Sequence, residues 1–179
     1  MAKHYTKTVG VLLAAMVATA GMAPSAPAAS AALASPVPAG ALTWIRNFNS
    51  FKCLAIAGAD RNDNAPAVQF GCDSHGSRVW YLVDRGNNHY WIKNNFTGKC
   101  LTIAAGSPYE NAPAVQYYCD AHPSRLWSFV DKGDSNYHIR NYNSGKCLTV
   151  AGGGITDNVY ANQYFCDNHR ARLWYFVTR

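Results

Sequence analysis

The sequence predicts an all-β domain built from three copies of one unit, and three observations support this prediction. The stretch from Cys100 to Trp127 recurs 47 positions earlier and 47 positions later without a gap. Each copy contains short runs of strand-forming residues, and the same positions stay apolar in all three copies. A fixed period of this length is typical of a repeat architecture, so it determines the fold class.

Four runs in each copy show the alternating pattern of β-strands. In the second copy these runs are Tyr90–Asn94, Cys100–Ile103, Ala114–Tyr118 and Arg125–Val130. Gly, Asn, Asp and Pro separate the runs, as turns require. No stretch keeps a helical period of 3.6 residues over ten positions, which favours an all-β domain.

Five positions of the repeat are apolar in every copy, which indicates that they face one shared core. They are Ile45/Ile92/Ile139, Leu54/Leu101/Leu148, Ile56/Ile103/Val150, Trp80/Trp127/Trp174 and Leu82/Phe129/Phe176. Twelve short strands in three equivalent sets favour a closed arrangement, because an open sheet leaves exposed edges. A β-trefoil, a three-fold barrel capped by hairpins, meets this requirement with three 47-residue repeats. A β-propeller also uses four strands per repeat but usually has at least four blades.

Six cysteines occur as two per copy, always 19 residues apart. An even number at a fixed spacing indicates a disulfide framework in a secreted chain. Six cysteines permit fifteen pairings, and the repeat favours pairing within each copy. The predicted disulfides are Cys53–Cys72, Cys100–Cys119 and Cys147–Cys166. Metal sites prefer cysteines two to four residues apart, so we expect no metal and no other cofactor.

The N-terminal residues have the composition of a secretory leader. A basic start with Lys3 and Lys7 precedes a short apolar run, 9–20, and small-x-small cleavage motifs follow. We predict a signal peptide at 1–31, an Ala/Pro/Ser spacer at 32–41 and a folded domain at 42–179. The apolar run is too short for a comfortable membrane span, and the rest of the chain has no run of spanning length. The protein is therefore predicted to be secreted and extracellular, without a membrane span.

The charge distribution disfavours binding to nucleic acid. Without the two lysines of the leader, the chain carries 14 basic and 10 acidic side chains. This small excess is spread over all three copies, whereas a nucleic-acid interface concentrates Lys and Arg on one face. We therefore expect no nucleic-acid partner.

The repeat resembles a known family of sugar-binding domains. Each copy starts Lys-Cys-Leu, has its second Cys 19 residues later and closes with x-x-Trp. These features resemble the ricin B-chain type β-trefoil lectins, also called family 13 carbohydrate-binding modules, over residues 42–179. The resemblance implies a β-trefoil and a secreted sugar binder with up to one shallow site per copy.

The sequence departs from this family at the polar part of the sugar site. The family's Asp, two residues after the first Cys, and its Gln, two before the closing Trp, are both replaced in every copy. Ala55, Thr102 and Thr149 stand at the Asp position, and Arg78, Arg125 and Arg172 stand at the Gln position. The stacking aromatic two residues before the second Cys is kept as Phe70, Tyr117 and Tyr164.

A sugar site needs a flat apolar face and convergent polar groups. Tyr117 and Tyr164 are predicted to stack on sugar, with an acid–Asn pair and a His of each copy as hydrogen-bonding groups. The predicted carbohydrate-binding residues are Thr102, Glu110, Asn111, Tyr117, His122, Thr149, Asp157, Asn158, Tyr164 and His169. The first copy is expected to bind more weakly. An acid–Asn pair can instead form a turn, and the histidines can instead lock the loop after the second Cys.

An Asp and an Arg lie five residues apart in every copy, as Asp73/Arg78, Asp120/Arg125 and Asp167/Arg172. We expect an ion pair that braces the loop between them, with the Arg in the structural role that the family gives to Gln. The alternative is that the Arg binds a sugar or an anion.

The repetition of polar residues favours binding over catalysis. An active site needs a single constellation with distinct roles, whereas linked weak sites gain avidity. No Gly-x-Ser-x-Gly, His-Glu-x-x-His or phosphate-binding glycine motif occurs. We therefore predict a non-catalytic, monomeric lectin that binds glycans or polysaccharides, alone or beside a secreted enzyme or toxin. The alternative is a trefoil that has lost sugar binding and contacts a protein, as an inhibitor or toxin accessory.

Overall fold

A computed structural model describes residues 1, 3–4 and 37–179. The predicted signal peptide beyond these first residues, and the spacer up to residue 36, lie outside the described residues. Twelve strands run through the described part, in three sets of four. They are β1 Leu42–Asn47, β2 Cys53–Ile56, β3 Ala67–Phe70, β4 Trp80–Asp84, β5 Tyr90–Asn94, β6 Cys100–Ile103, β7 Ala114–Tyr117, β8 Trp127–Asp131, β9 Tyr137–Asn141, β10 Cys147–Val150, β11 Ala161–Tyr164 and β12 Trp174–Thr178.

Helical structure is limited to two 3-10 turns per repeat. They are Ala57–Ala59, Gly76–Arg78, Ala104–Gly106, Pro123–Arg125, Ala151–Gly153 and Arg170–Arg172. The described residues contain no α-helix, and none of them forms a helix long and apolar enough to cross a membrane. The all-β prediction is confirmed.

The strands form a barrel and a cap, and every pairing is antiparallel. The barrel joins neighbouring repeats through β4–β5, β8–β9 and β12–β1, with Leu82 opposite Ile92, for example. The hairpins β2–β3, β6–β7 and β10–β11 form the cap. Isolated bridges join the three hairpins in a cycle: Pro66 to Val115, Pro113 to Asn162, and Tyr160 to Val68. This three-fold arrangement is the predicted β-trefoil.

The closing tryptophan of each repeat anchors the core. Trp80, Trp127 and Trp174 are 0% exposed, and each indole N–H donates a hydrogen bond to a leucine carbonyl oxygen. The acceptors are Leu54, Leu101 and Leu148, at 2.8, 2.9 and 2.9 Å. A buried indole needs such a partner, because an unpaired N–H is costly to bury.

The other predicted core positions are also buried, except Phe176, which is half-buried against the same cluster. The three disulfides form within the repeats as predicted.

Residues 37–41 of the predicted spacer pack against the domain. Val37 is buried in the core cluster, and the Gly40 amide donates to the Leu82 carbonyl oxygen at 2.9 Å. These residues therefore contact the folded domain that the sequence predicts at 42–179.

Three buried glutamines connect each repeat to the next. The Gln116 side chain donates to the carbonyl oxygens of Asp60 and Asn62, both at 2.8 Å, and accepts from the Thr97 hydroxyl at 2.7 Å. Gln69 and Gln163 make the equivalent bonds. The turn after residue 60 in the first repeat, and its equivalents, are thus fixed against the following repeat.

His138 gives the fold a dependence on pH. Its Nε2 bonds to the Asp167 carbonyl oxygen at 2.9 Å. At the equivalent place in the first repeat, the Trp44 indole N–H donates to the Asp73 carbonyl oxygen at 3.1 Å. Burial lowers the pKa of His138, because the charged ring loses solvation. Its folded pKa thus lies below its unfolded value of about 6.5, so the stability it contributes is complete above that value and falls with decreasing pH.

Acidification from pH 7.5 to 5 is therefore expected to lower the free energy of unfolding, by at most about 1.4 kcal/mol per pH unit from this residue. His138→Trp keeps a ring N–H donor and removes the titration, so urea unfolding of this variant should depend less on pH. Equal pH dependence in the two proteins would contradict this account.

Candidate functional site

The structure contains three equivalent cavities, one beside each cap hairpin. Each is lined by the repeat's own 3-10 turn, aromatic residue, His and Arg, and by one Asn from the preceding repeat. The cavities of the first, second and third repeats measure about 290, 520 and 310 Å³.

An arginine lies against the aromatic ring in every cavity. The guanidinium carbon is 4.3, 4.7 and 4.6 Å from the ring centroid in the pairs Arg78/Phe70, Arg125/Tyr117 and Arg172/Tyr164. The same arginines bond Asp73, Asp120 and Asp167 at 3.2, 3.0 and 2.9 Å. The predicted loop brace is confirmed. The guanidinium also covers one face of each ring, so a sugar can stack only on the opposite face.

The histidines hold the loop and also line the cavities. Nδ1 of His75, His122 and His169 accepts a hydrogen bond at 3.2 Å from the backbone N–H two residues later. This bond is the loop lock that we considered as the alternative. Because Nδ1 accepts, the neutral ring carries its proton on Nε2. Nε2 is therefore a donor that each cavity can offer to a ligand.

The acid–Asn pairs form turns, and their two members point to different places. The acids bond lysines of the following repeat: Asp63 to Lys99, Glu110 to Lys146 at 2.5 Å, and Asp157 to Lys52 at 2.6 Å. The Lys146 hydrogen bond lowers the pKa of Glu110. Neither Glu110 nor Asp157 lines a cavity. These carboxylates connect repeats and stand apart from the aromatic rings.

The asparagines reach the cavity of the following repeat. Asn111 lines the third cavity with Tyr164, and Asn158 lines the first cavity with Phe70. Asn64, absent from the predicted set, joins Tyr117 in the second cavity. All three have a left-handed backbone, with φ of 61–63°, a conformation that Asn tolerates better than most residues. Each predicted pair thus contributes only its Asn, and to a neighbouring repeat.

Thr102 and Thr149 line the cavity walls, but their hydroxyls are already bonded. They are 3% and 4% exposed, and they donate to the carbonyl oxygens of Ser124 and Ala171 at 3.1 and 3.2 Å. These hydroxyls hold the loop that carries the His and the Arg. The threonines therefore position the site at the place where the family has its Asp.

The second cavity is the largest of these three and contains a second tyrosine. Tyr118 is 54% exposed, and its ring centroid lies 4.5 Å from that of Tyr117. The corresponding residues are Gly71 and Phe165, and neither lines its cavity. Sequence reasoning missed Tyr118, although adjacent tyrosines before the second Cys occur in this repeat alone.

One group of metal-ligand residue types lies close together in the third repeat. His138, Cys147 and Cys166 place their ligand atoms within 4.8 Å of one another. The two sulfur atoms are bonded to each other, so they are not thiolates that could bind a metal.

Comparison with known proteins identifies a family for this chain. The family described as "Ricin-type beta-trefoil lectin domain-like" matches residues 36–118, 80–164 and 123–179. A search of curated proteins gives no match.

Several solved structures share the fold. The designed three-fold symmetric protein ThreeFoil has a TM-score of 0.76 and 26% identity, over 77% of this chain and 99% of its own. The exo-β-1,3-galactanase 1,3Gal43A from Clostridium thermocellum also has a TM-score of 0.76 and 26% identity, over 80% of this chain but only 31% of its own. The earthworm R-type lectin C-half has a TM-score of 0.61 and 11% identity, over 78% and 99%. The chain therefore belongs to the ricin-type β-trefoil lectin domain-like family.

Proposed function

We propose that this protein is a secreted, non-catalytic lectin that binds glycans through the three cavities. One observation carries the proposal. Each of the three cavities is lined by an aromatic residue, a His with an Nε2 donor and an Asn with a side-chain amide. An aromatic face suits the C–H side of a sugar, and the donors and amides suit its hydroxyls. Among the similar structures, the earthworm R-type lectin C-half was solved in complex with GalNAc.

The second and third cavities are proposed as the stronger sites. Their stacking residues are Tyr117 and Tyr164, and the second cavity adds Tyr118. Thr102 and Thr149 serve as positioning residues, while Glu110 and Asp157 hold the turns that present the asparagines. His122 and His169 supply the Nε2 donors.

Secretion and the absence of catalysis belong to the same proposal. The leader at 1–31 directs export, and the oxidising environment outside the cell suits three disulfides. Repeated equivalent cavities suit multivalent binding by a monomer, because linked weak sites gain avidity. A domain of this kind acts alone or beside a secreted enzyme.

Tyr117→Ala is expected to reduce retention on a glycan array or an insoluble polysaccharide by about fivefold, because about 1 kcal/mol of aromatic contact is lost. The array includes galactose, GalNAc and β-1,3-linked galactose oligomers. Tyr109→Ala is the matched control, since Tyr109 is 75% exposed and lines none of the three cavities.

Two results would count against the proposal. Equal retention of Tyr117→Ala and wild type on every bound glycan would remove Tyr117 from the site. A correctly folded wild type that no glycan retains would favour the alternative of a trefoil that binds a protein.

A further inference from the structure

The third cavity differs from the other two in two buried side chains: Ala171 replaces Ser77 and Ser124, and an asparagine replaces a valine. The second residue of the cap strand is Val68 in β3 and Val115 in β7, but it is Asn162 in β11. The register is the same in all three hairpins, because these residues lie opposite Ala55, Thr102 and Thr149. The fold therefore accepts valine at this position twice and does not require an amide there.

Asn162 is buried with only part of its amide satisfied. It is 9% exposed, and its Nδ2 lies 3.5 Å from Asn111 Oδ1, at the outer limit of a hydrogen bond. Its Oδ1 is buried and has no hydrogen-bond partner among residues 37–179. Burying an unpaired amide oxygen destabilises a folded protein. Valine would fill the same space without that penalty.

The unpaired oxygen belongs to a residue of the cavity wall. Asn162 lines the third cavity together with Tyr164, His169 and Arg172. Nε of Arg172 is likewise buried without a partner in the described part of the chain, as is Nε of Arg78 in the first cavity, whereas Nε of Arg125 in the second cavity donates to the Tyr118 carbonyl oxygen at 3.0 Å. The third cavity thus combines an unpaired acceptor with an unpaired donor. A hydroxyl group both donates and accepts, so a polyhydroxylated ligand suits an unpaired acceptor beside an unpaired donor. Both atoms are covered in this structure, so a ligand hydroxyl reaches Oδ1 only when the Asn162 amide, held by one long hydrogen bond, turns toward the cavity.

We propose that Asn162 determines the specificity of the third cavity, by accepting a hydrogen bond from a hydroxyl of the bound saccharide. The first and second cavities have valine at this position and cannot make that bond. The three sites would then bind different parts or types of glycan. This inference rests on the proposed carbohydrate-binding function.

Asn162→Val tests the proposal, because it installs the residue that the other two repeats already contain. The ¹⁵N-labelled chain is titrated with galactose, with GalNAc and with the best-retained array glycan. Backbone amide signals of Gly153 and Ala171 report on the third cavity, and those of Gly106 and Ser124 report on the second. We expect the variant to lose about tenfold in affinity at the third cavity alone. Its thermal midpoint should rise by about 3 °C, because the unpaired oxygen is gone.

The possible results separate this inference from the proposed function. An unchanged titration at the third cavity in Asn162→Val, or a lower thermal midpoint, would overturn the role of Asn162. Wild-type shifts confined to the second cavity would also overturn it and leave the lectin function intact. An absence of shifts at every cavity with every probe would refute the lectin function, and this inference with it.

Discussion

Reduction of the three disulfides is expected to unfold the domain in the absence of denaturant. Each bridge spans 19 residues and ties the first strand of a cap hairpin to the chain just beyond the second. A loop of this size contributes roughly 3 kcal/mol, so the three together contribute about 9 kcal/mol. The total stability of a domain is typically about 5–15 kcal/mol. Addition of dithiothreitol should therefore shift the emission of the buried tryptophans to the red and remove the near-ultraviolet circular dichroism.

Variants that lack one bridge provide the graded control. Cys100→Ser with Cys119→Ser, and the equivalent pairs, should each lower the free energy of unfolding by about 2–4 kcal/mol. The three losses should be similar, because the loops are equal in length and setting. A fully reduced protein that still unfolds cooperatively at the original urea midpoint would show that the core alone suffices.

Loss of two of the three cavities is expected to weaken binding to a glycan-coated surface by about 10²–10⁴-fold, because linked weak sites act together. Tyr117→Ala combined with Tyr164→Ala removes the proposed stacking ring from the second and third cavities and leaves the first unchanged. Surface plasmon resonance measures the apparent affinity. Calorimetry with the corresponding free sugar measures the stoichiometry, which should fall while the affinity of the remaining site is unchanged.

The loss of affinity for the coated surface is compared with the loss of affinity for the free sugar. If the loss is as large for the free sugar as for the coated surface, the protein binds through one site and the multivalent proposal is wrong. Equal thermal midpoints of the double variant and the wild type serve as the folding control. Tyr109→Ala, which changes an exposed tyrosine outside the cavities, should behave as wild type in both measurements.

Much of the fold could be predicted from the sequence, because the same apolar, cysteine and tryptophan positions recur in all three repeats. The tryptophan that closes each repeat can be buried in every copy, because its N–H donates to the carbonyl oxygen of the equivalent leucine each time. The cysteine pairing follows from the same repetition. The Asp–Arg brace could also be predicted, because both residues lie on one short loop.

The composition of the cavities could not be predicted in the same way. Asn111 and Tyr117 are close in sequence, yet they lie in different cavities because Gln163 fixes the turn near Asn111 against the following repeat. Residues of one repeat therefore line two different cavities. The sequence of a single repeat does not indicate which of its residues lie in the cavity of the next repeat. The pairing of Glu110 with Lys146 has the same origin.

For the cavity arginines, the ion pair with Asp was predicted, but the contact with the aromatic ring was not. Its ion pair with Asp is a local feature, but its position over the ring depends on how the loop that carries the Arg packs against the strand that carries the ring. Sequence alone therefore left the accessible ring face undefined.

A crystal structure of the protein with its best-retained glycan tests the central claim most directly. We predict a saccharide on the ring face of Tyr117 opposite Arg125, bonded by Nε2 of His122 and by the Asn64 amide that the first repeat supplies. A saccharide bound elsewhere on the surface, with that ring face left uncovered, would contradict the account.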